Sequence, residues 1–203
     1  MMGLQVEALS LQRGERVLFS GLSFTVRAGE AVTLVGANGV GKTSLIRAIA
    51  GLAPVRAGRI SFERDGEPLD PDEVRRGDCH LIGHLDGLAG GRTARQEVAF
   101  AVQWCGGDTA AAATSARRLG LEPILDLEVR KLSAGQRRRL ALVRLIAAPR
   151  TLWLLDEPLS PLDARGRALI GEVMAAQLAG GGVMVAAIHD ALPIPTRDVL
   201  VGG

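Results

Sequence analysis

A glycine-rich segment that follows an apolar strand constrains the fold of this chain more than any other feature. Residues Ala31–Val35 (AVTLV) are almost entirely apolar, which is typical of a strand buried on both faces of a parallel sheet. The sequence GANGVGKT follows at 36–43, and the apolar spacing in 45–50 predicts a helix that ends at Gly51. A strand, a glycine-rich turn and a helix in this order predict a loop that surrounds a phosphate group with backbone N–H groups.

The residues of this loop have complementary roles in phosphate binding. Glycines let the backbone approach a phosphate closely, and the start of the following helix adds a partial positive charge. Lys42 can reach the outer phosphates of a nucleotide, and the Thr43 hydroxyl can ligate Mg²⁺. Lys42 and Lys131 are the only lysines among 24 basic residues, so one of the two stands where a phosphate loop requires it.

A pair of acidic residues follows another apolar run late in the chain. The sequence LWLLDEP at 152–158 predicts a buried strand with Asp156 and Glu157 at its C-terminal end, where open α/β sheets bind their ligands. Asp156 suits the Mg²⁺ shell through a bridging water, and Glu157 can orient or deprotonate an attacking water. By itself the pair also fits a solvated acidic turn, but beside a phosphate loop it indicates a nucleoside triphosphatase.

The sequence LSAGQ at 132–136, here called the LSAGQ segment, precedes a helical pattern at 137–147. Ser133 is a good N-cap, Gly135 permits close backbone approach, and the start of the helix is a second anion site. One chain does not easily direct two such helix ends at one γ-phosphate, whereas two chains arranged head to tail can. We therefore expect a second copy of the chain to cover the nucleotide with this segment.

The order of these motifs resembles that of the ATP-binding cassette (ABC) ATPases over essentially the whole chain, and LSAGQ differs from the family's LSGGQ at one small residue. The resemblance implies that two chains enclose two ATP molecules with Mg²⁺, hydrolyse them and separate, which drives integral membrane subunits. It also implies that Glu157 and His189, which follows the predicted strand 183–188, are catalytic. The implied ATP-binding residues are Gly36, Ala37, Asn38, Gly39, Val40, Gly41, Lys42, Thr43 and Ser44. The implied contacts to the partner's ATP are Ser133, Ala134, Gly135, Gln136 and Asp163, the last in the sequence SPLD at 160–163.

Two positions depart from the family pattern. Arg13, before Gly14, stands where the family places an aromatic residue that stacks on adenine, and an Arg plane can also stack on a base. His84, in the sequence LIGH at 81–84, stands at the position of a family glutamine that senses Mg²⁺ and contacts the membrane subunit. His84 either takes that role, including a contact to Mg²⁺, or is an ordinary loop residue.

The second departure narrows the resemblance. Gly83-His84, a short tail after His189 and the sequence RRRLAL after LSAGQ resemble the ATPase subunits of bacterial cytochrome c maturation haem exporters. This resemblance implies a subunit that powers export of haem or release of haem from its carrier. We expect no direct contact with haem, because the chain has no CxxCH sequence.

Three alternatives remain at this point. One is the ATPase subunit of an exporter for another substrate, because the nucleotide machinery does not report the cargo. Another is an ABC-type factor that acts on ribosomes or DNA, although such factors usually carry tandem cassettes or a long coiled-coil insert that 203 residues do not hold. The last is a nucleotide-dependent dimer without turnover, which the presence of both Glu157 and His189 argues against.

Composition limits the partners and the location. The net charge is +2 and aromatic residues make up 3% of the chain, so we expect no nucleic acid partner and interpret Arg137, Arg138 and Arg139 as a solvated helix face. Cys79 and Cys105 lack the spacing of a zinc site and are expected to be reduced thiols. We expect no leader and no membrane-spanning stretch, so the chain should stay in the cytoplasm. The family resemblance implies a peripheral position on the cytoplasmic face of the inner membrane.

The pattern of elements predicts an α/β fold of the P-loop type: a parallel sheet, an N-terminal antiparallel β region and a helical insert. We expect one ABC ATPase domain over 1–203, with 1–83 and 150–203 as the nucleotide-binding core and 84–149 as the helical subdomain. The predicted strands include 5–11, 16–19, 22–26, 79–82 and 152–155, with a hairpin at 58–69. Thr93 and Asp108 are predicted to cap two helices of the insert, and another helix is predicted at 164–178.

Overall fold

The computed structural model describes residues 1–202, with the backbone alone at Thr109, and contains two sheets and six α-helices within that range. The strands are β1 (Met2–Arg13), β2 (Arg16–Val26), β3 (Ala31–Val35), β4 (Ala57–Arg64), β5 (Glu67–Leu69), β6 (Cys79–Ile82), β7 (Leu152–Asp156), β8 (Val183–Ala187) and β9 (Arg197–Leu200). The helices are α1 (Lys42–Ile49), α2 (Pro71–Glu73), α3 (Ala94–Trp104), α4 (Thr109–Arg118), α5 (Ala134–Ala147) and α6 (Ala164–Ala179). Mixed α/β structure was predicted and is confirmed.

The larger sheet has five strands in the order β6-β7-β8-β3-β9. β3 pairs in parallel with β8 and β9, and β7 pairs in parallel with β8. β7 and β8 are buried along their whole length, as their continuous apolar sequences predict for strands covered on both faces. The parallel sheet therefore brings the C-terminal ends of β3, β7 and β8 to one edge.

The smaller sheet is antiparallel, in the order β2-β1-β4-β5. Its β4–β5 hairpin turns at Asp65-Gly66 as predicted, with φ values of 55° and 86° that suit a tight two-residue turn. The division of β2 into two strands was wrong. Gly21, at φ 71°, lies at a register shift between the pairs Leu9↔Leu22 and Leu11↔Phe19, so a bulge absorbs the glycine and the strand continues.

Apolar side chains from both sheets and from α1 form one core cluster. Leu45, Ile46 and Ile49 on the buried face of α1 are at most 1% exposed, and full burial of such a side chain contributes roughly 1.5–3 kcal/mol. Their spacing at i, i+1 and i+4 follows the helical period, which explains why the sequence predicted this helix. The core therefore fixes α1 directly after the glycine-rich turn.

The contacts divide the chain into two units. The first contains residues 1–81, 150–157 and the chain from Ala175 onward, and the second contains 82–149 and 158–174. The segment 158–174 thus belongs with the helical unit here, whereas the sequence-based division assigned it to the core. Within residues 1–202, no helix is both long and apolar enough to span a membrane.

Two helices of the second unit, α3 and α4, begin where the sequence predicts, whereas α5 begins at Ala134, before the predicted range 137–147. Thr93 and Gln96 close a capping box at the start of α3, and the Asp108 side chain accepts the N–H of Ala110 at the start of α4. α4 ends with Leu119 as its C-cap, and Gly120 follows at φ 64°. These predictions are confirmed. They could be made from the sequence because a helix cap depends only on neighbouring residues.

Candidate functional site

The edge formed by the C-terminal ends of β3, β7 and β8 carries most of the predicted site residues. The glycine-rich segment 36–41, here called the phosphate loop, follows β3, while Asp156 is the last residue of β7 and His189 follows β8 by two residues. Since these strands are neighbours in a parallel sheet, the sheet topology brings residues as distant in sequence as Gly36 and His189 to one edge, which is the edge where such sheets bind ligands.

Two glycines give the phosphate loop its shape. Gly36 has φ 146°, and a Cβ there would lie 2.6 Å from the carbonyl oxygen of Val201. Gly41 has φ 117°, and a Cβ there would lie 3.1 Å from Cβ of Leu18. No other residue type adopts these backbone angles without strain in so little space. Within the described residues, no side chain caps the start of α1, so its first N–H groups are available to an anion.

Lys42 lies at the start of α1 and is 9% exposed. Its Nζ donates to the carbonyl oxygens of Gly36 at 2.6 Å and Ala37 at 3.3 Å. The ammonium group therefore lies across the phosphate loop, where its charge would meet a phosphate that the loop encloses. An Lys side chain can exchange these two carbonyl acceptors for phosphate oxygens without any change in the backbone.

Thr43 and Asp156 meet although 113 residues separate them. Thr43 Oγ1 lies 3.1 Å and 3.0 Å from the two carboxylate oxygens of Asp156. Asp156 is 5% exposed at the end of β7, so its charge lies in a sheltered position. A hydroxyl and a carboxylate in contact supply the oxygen ligands that Mg²⁺ prefers, and the pair therefore fits that ion.

Glu157 adopts an unusual backbone conformation directly after Asp156. Its φ is 51°, a region that costs free energy for a residue with a side chain and that clusters at functional sites. Its N–H donates to the carbonyl oxygen of Ala187 at 2.9 Å, which ties it to the end of β8. Its carboxylate lies 3.4 Å from Nε2 of His189, and the two side chains are 18% and 60% exposed.

Arg13 is the last residue of β1 and pairs with Arg16 across the turn into β2. It is exposed. β2 passes the phosphate loop, because Leu18 is the nearest neighbour of the Cβ position of Gly41. Arg13 thus lies near the tip of a hairpin that borders the loop, and its stacking on a base remains a prediction.

The second unit holds the LSAGQ segment. Ser133 is the N-cap of α5, as predicted, and it forms a capping box with Gln136. Ser133 Oγ accepts the Gln136 N–H at 3.2 Å, and Gln136 Oε1 accepts the Ser133 N–H at 2.8 Å. Ser133 and Ala134 are exposed. A Cβ on Gly135 would lie 3.5 Å from the carbonyl oxygen of Pro161, so the fold of one chain leaves room for a methyl group there.

Two other predicted residues lie in the same unit. Asp163 Oδ1 accepts the N–H of Gly166 at 2.7 Å, the pattern of a helix cap at the start of α6. His84 is exposed and follows β6 and Gly83 directly. Their proposed contacts to nucleotide, metal or partner remain predictions.

The interpretation of 137–139 as a solvated helix face is wrong. Arg138 is 1% exposed, Arg137 donates to the carbonyl oxygen of Leu132, and Arg139 donates to that of Leu119. The sequence carried a signal that was missed. Arg138 lies at helical spacing from Ala141, Leu142 and Leu145, which are all buried, so it falls on the inward face of α5. These side chains are therefore internal contacts of the unit.

A phosphate loop, an acidic strand end and an LSAGQ segment on this α/β fold define a P-loop ATPase of the ABC class. The chain belongs to the ABC transporter family, whose sequence pattern matches residues 19–160.

Relatives narrow the comparison. The chain is 45% identical over 202 residues, which is all of it and 99% of the relative, to "Cytochrome c biogenesis ATP-binding export protein CcmA" of Rhodopseudomonas palustris strain BisB18. The chain is also 42% identical to the protein of the same name from strain BisB5, over 201 residues that cover 99% of this chain and 98% of the relative. Among solved structures, a putative ABC transporter ATP-binding protein from Pyrococcus furiosus superposes with a TM-score of 0.81 at 17% identity, covering 98% of this chain and 97% of that one.

Proposed function

We propose that this chain is the ATP-hydrolysing subunit of an ABC transporter complex that serves cytochrome c biogenesis. The observation that carries the ATPase part is the contact of Thr43 Oγ1 with both carboxylate oxygens of Asp156. This contact joins the phosphate loop to the acidic strand end. Two relatives at 42% and 45% identity over nearly the full chain, both named for cytochrome c biogenesis and export, support the biological role.

Nucleotide binding uses residues of the first unit. The N–H groups of the phosphate loop and of the first turn of α1 hold the β- and γ-phosphates, and Lys42 turns from the Gly36 carbonyl to their oxygens. Thr43 would ligate Mg²⁺ directly, and Asp156 would act on it through a water. When bound, Mg²⁺ neutralises charge on the β- and γ-phosphate oxygens. Arg13 is proposed to stack on the base.

Hydrolysis depends on Glu157. Its carboxylate orients a water whose oxygen attacks the γ-phosphorus, so that the bond to ADP breaks and inorganic phosphate forms. The left-handed backbone at Glu157 and its N–H bond to Ala187 hold this carboxylate at the end of the sheet. His189, 3.4 Å away, is proposed to contact the γ-phosphate.

A complete site needs a second copy of the chain. The exposed Ser133 and Ala134, together with Gly135 and Gln136, are proposed to cover the ATP held by the partner, where the N-terminal end of the α5 dipole adds positive charge. Asp163 is proposed to contact the partner as well. Because the site is complete only in the dimer, ATP binding favours closure and hydrolysis permits separation.

We propose that this ATPase cycle drives integral membrane subunits. The chain itself is proposed to be peripheral, on the cytoplasmic face of the inner membrane. Haem export, or release of haem from a carrier, is the step we propose that it powers. His84 is the proposed contact near the Mg²⁺ site and the membrane subunit, so we expect His84→Ala to lower the ATPase activity of the assembled complex.

Copurification tests the proposal. A tagged chain is isolated from detergent-solubilised membranes of a bacterium that makes c-type cytochromes, and its partners are identified by mass spectrometry. We expect integral subunits of the cytochrome c biogenesis system, together with loss of c-type haem proteins when the wild-type chain is replaced by Glu157→Gln. Copurified subunits of an unrelated exporter would favour another cargo, and ribosomal RNA or DNA would contradict the transporter assignment.

A further inference from the structure

Arg138 is a buried cation whose bonds join three segments of the second unit. Its Nε donates to the carbonyl oxygen of Pro158 at 3.1 Å. Its Nη1 donates to the carbonyl oxygen of Gly83 at 2.9 Å and to Oδ1 of Asp86 at 3.1 Å. The side chain is 1% exposed and that of Asp86 is 22% exposed. One guanidinium thus connects α5, the loop 83–86 and the chain that follows β7.

Packing alone does not account for an arginine at this position. Arg138 lies on the buried face of α5 beside Leu142 and Leu145, where an apolar side chain would avoid the cost of desolvating a charge. The planar guanidinium has donors in fixed directions, so it bonds acceptors from two segments at once in a fixed geometry, whereas Leu has no donor and the donors of Lys rotate about a single nitrogen. The residue therefore specifies an arrangement of segments in addition to filling space.

The segments that Arg138 joins carry residues of the proposed ATPase mechanism. Pro158 follows Glu157, Gly83 precedes His84, and α5 begins at the LSAGQ segment. We propose that Arg138 is a positioning residue for ATP hydrolysis, which fixes the Pro158 carbonyl and the loop 83–86 relative to the start of α5. This inference rests on the proposed function, because the segments that Arg138 joins take part in a reaction only if the chain hydrolyses ATP.

The test is a comparison of steady-state hydrolysis of MgATP by the purified full-length chain and its variants. In Arg138→Gln we expect kcat to fall about tenfold or more, because small misplacements of catalytic groups have effects of this size. We expect KM for ATP to stay within about twofold, since the groups that bind the phosphates are unchanged. Arg138→Lys keeps the positive charge but lacks the planar arrangement of donors. We expect its kcat to lie between those of Arg138→Gln and the wild type.

The matched control is Arg139→Gln. This neighbouring arginine of α5 also donates to backbone carbonyls within the second unit, those of Leu119 and Gly120, but it does not join the loop 83–86 to Pro158. We expect a similar loss of thermal stability in both Gln variants and a loss of kcat in Arg138→Gln alone. Equal kcat losses at equal stability losses would show a purely structural role and overturn the proposal.

A second variant keeps the test decisive if Arg138→Gln fails to fold. Asp86→Asn removes the carboxylate of the ion pair at a partly exposed position, and we expect kcat to fall about threefold with an unchanged KM. Where Arg138→Gln folds, the two losses should be less than additive in the double variant, because both act through one contact. Unchanged kcat in Asp86→Asn would overturn the proposal. A wild-type chain that does not hydrolyse ATP at all would instead overturn the proposed function.

Discussion

The two units contrast in how their functional side chains are bonded. In the first unit, Thr43 contacts Asp156, and Glu157 lies beside His189, so side chains from distant strands support one another. In the second unit, Ser133 and Gln136 bond to each other in a local capping box, and Ser133 is exposed. The first unit assembles a site within one chain, whereas the second presents a prepared helix start at its surface.

This difference has a consequence for how the chain works. A preassembled phosphate site can bind nucleotide in a single chain, because few groups need to be ordered on binding. The LSAGQ segment contacts a nucleotide only when a second copy of the chain brings its bound nucleotide to it. Changes in the first unit should therefore abolish nucleotide binding by the single chain or the hydrolysis step itself, and changes in the second should act on association.

Removal of Lys42 should have the largest effect on nucleotide binding. Lys42→Ala deletes the ammonium that lies across the phosphate loop, and charge-assisted bonds to phosphate are among the strongest in proteins. We expect ATP affinity to fall about 100-fold, which corresponds to about 2.7 kcal/mol. Titration calorimetry measures this, with Lys131→Ala as the control. Lys131 is exposed in the second unit, so its removal should leave ATP affinity unchanged. Equal losses of ATP affinity in both variants would contradict the proposed difference between the units.

Glu157→Gln separates chemistry from binding within the first unit. The amide keeps the shape of the side chain but cannot accept a proton, so we expect kcat to fall about 100-fold or more while ATP still binds. A phosphate-release assay measures the rate, and Glu172→Gln on the exposed face of α6 serves as the control. Turnover at the wild-type rate would remove Glu157 from its proposed role.

Gly135→Ala addresses the second unit alone. The nearest atom to the added methyl group within the chain is 3.5 Å away, and Ala is the better helix former by roughly 0.5–1 kcal/mol, so the monomer should be as stable as the wild type or slightly more so. At a close interface the methyl group would collide with the partner's nucleotide. We expect ATP affinity of the monomer to be unchanged and ATP-driven association to weaken about tenfold, measured by sedimentation. Unimpaired association would place the segment outside the interface.

The two cysteines provide the mildest comparison, one in each unit. Burial raises the pKa of the Cys79 thiol to about 12, whereas Cys105 is only half-buried. At pH 8 we expect N-ethylmaleimide to label Cys105 in the folded chain and to spare Cys79, as peptide mass spectrometry would show. Rapid labelling of Cys79 would indicate that the core beside β6 opens readily.

The same raised pKa gives a pH dependence of stability. Because the folded chain favours the neutral thiol of Cys79, its contribution is fully present below the ordinary thiol pKa of about 8.5 and is lost as the pH rises towards 12. Denaturant titrations at pH 8 and pH 10 should show a lower free energy of unfolding at the higher pH. Cys79→Ala should reduce that difference.

Local patterns allowed much of the fold and site to be predicted. The strand at Ala31–Val35, the helix caps at Thr93 and Ser133 and the hairpin at Asp65-Gly66 depend on neighbouring residues, and all were observed. β9 was missed because its four residues are mostly exposed and its place depends on parallel pairing with β3. The burial of Arg138 was missed because three consecutive arginines were interpreted as one exposed face, although helical spacing places Arg138 on the same face as the buried Ala141 and Leu142.

The central claim is that the nucleotide bound by one chain is covered by the LSAGQ segment of a second. Sedimentation of Glu157→Gln, with and without ATP, tests this claim most directly, since the variant is expected to bind ATP without hydrolysing it. We predict a monomer without nucleotide and a stable dimer with ATP, and a shift of this equilibrium towards monomer when Gly135→Ala is added. A Glu157→Gln chain that binds ATP with full affinity yet stays monomeric at every concentration would contradict the account.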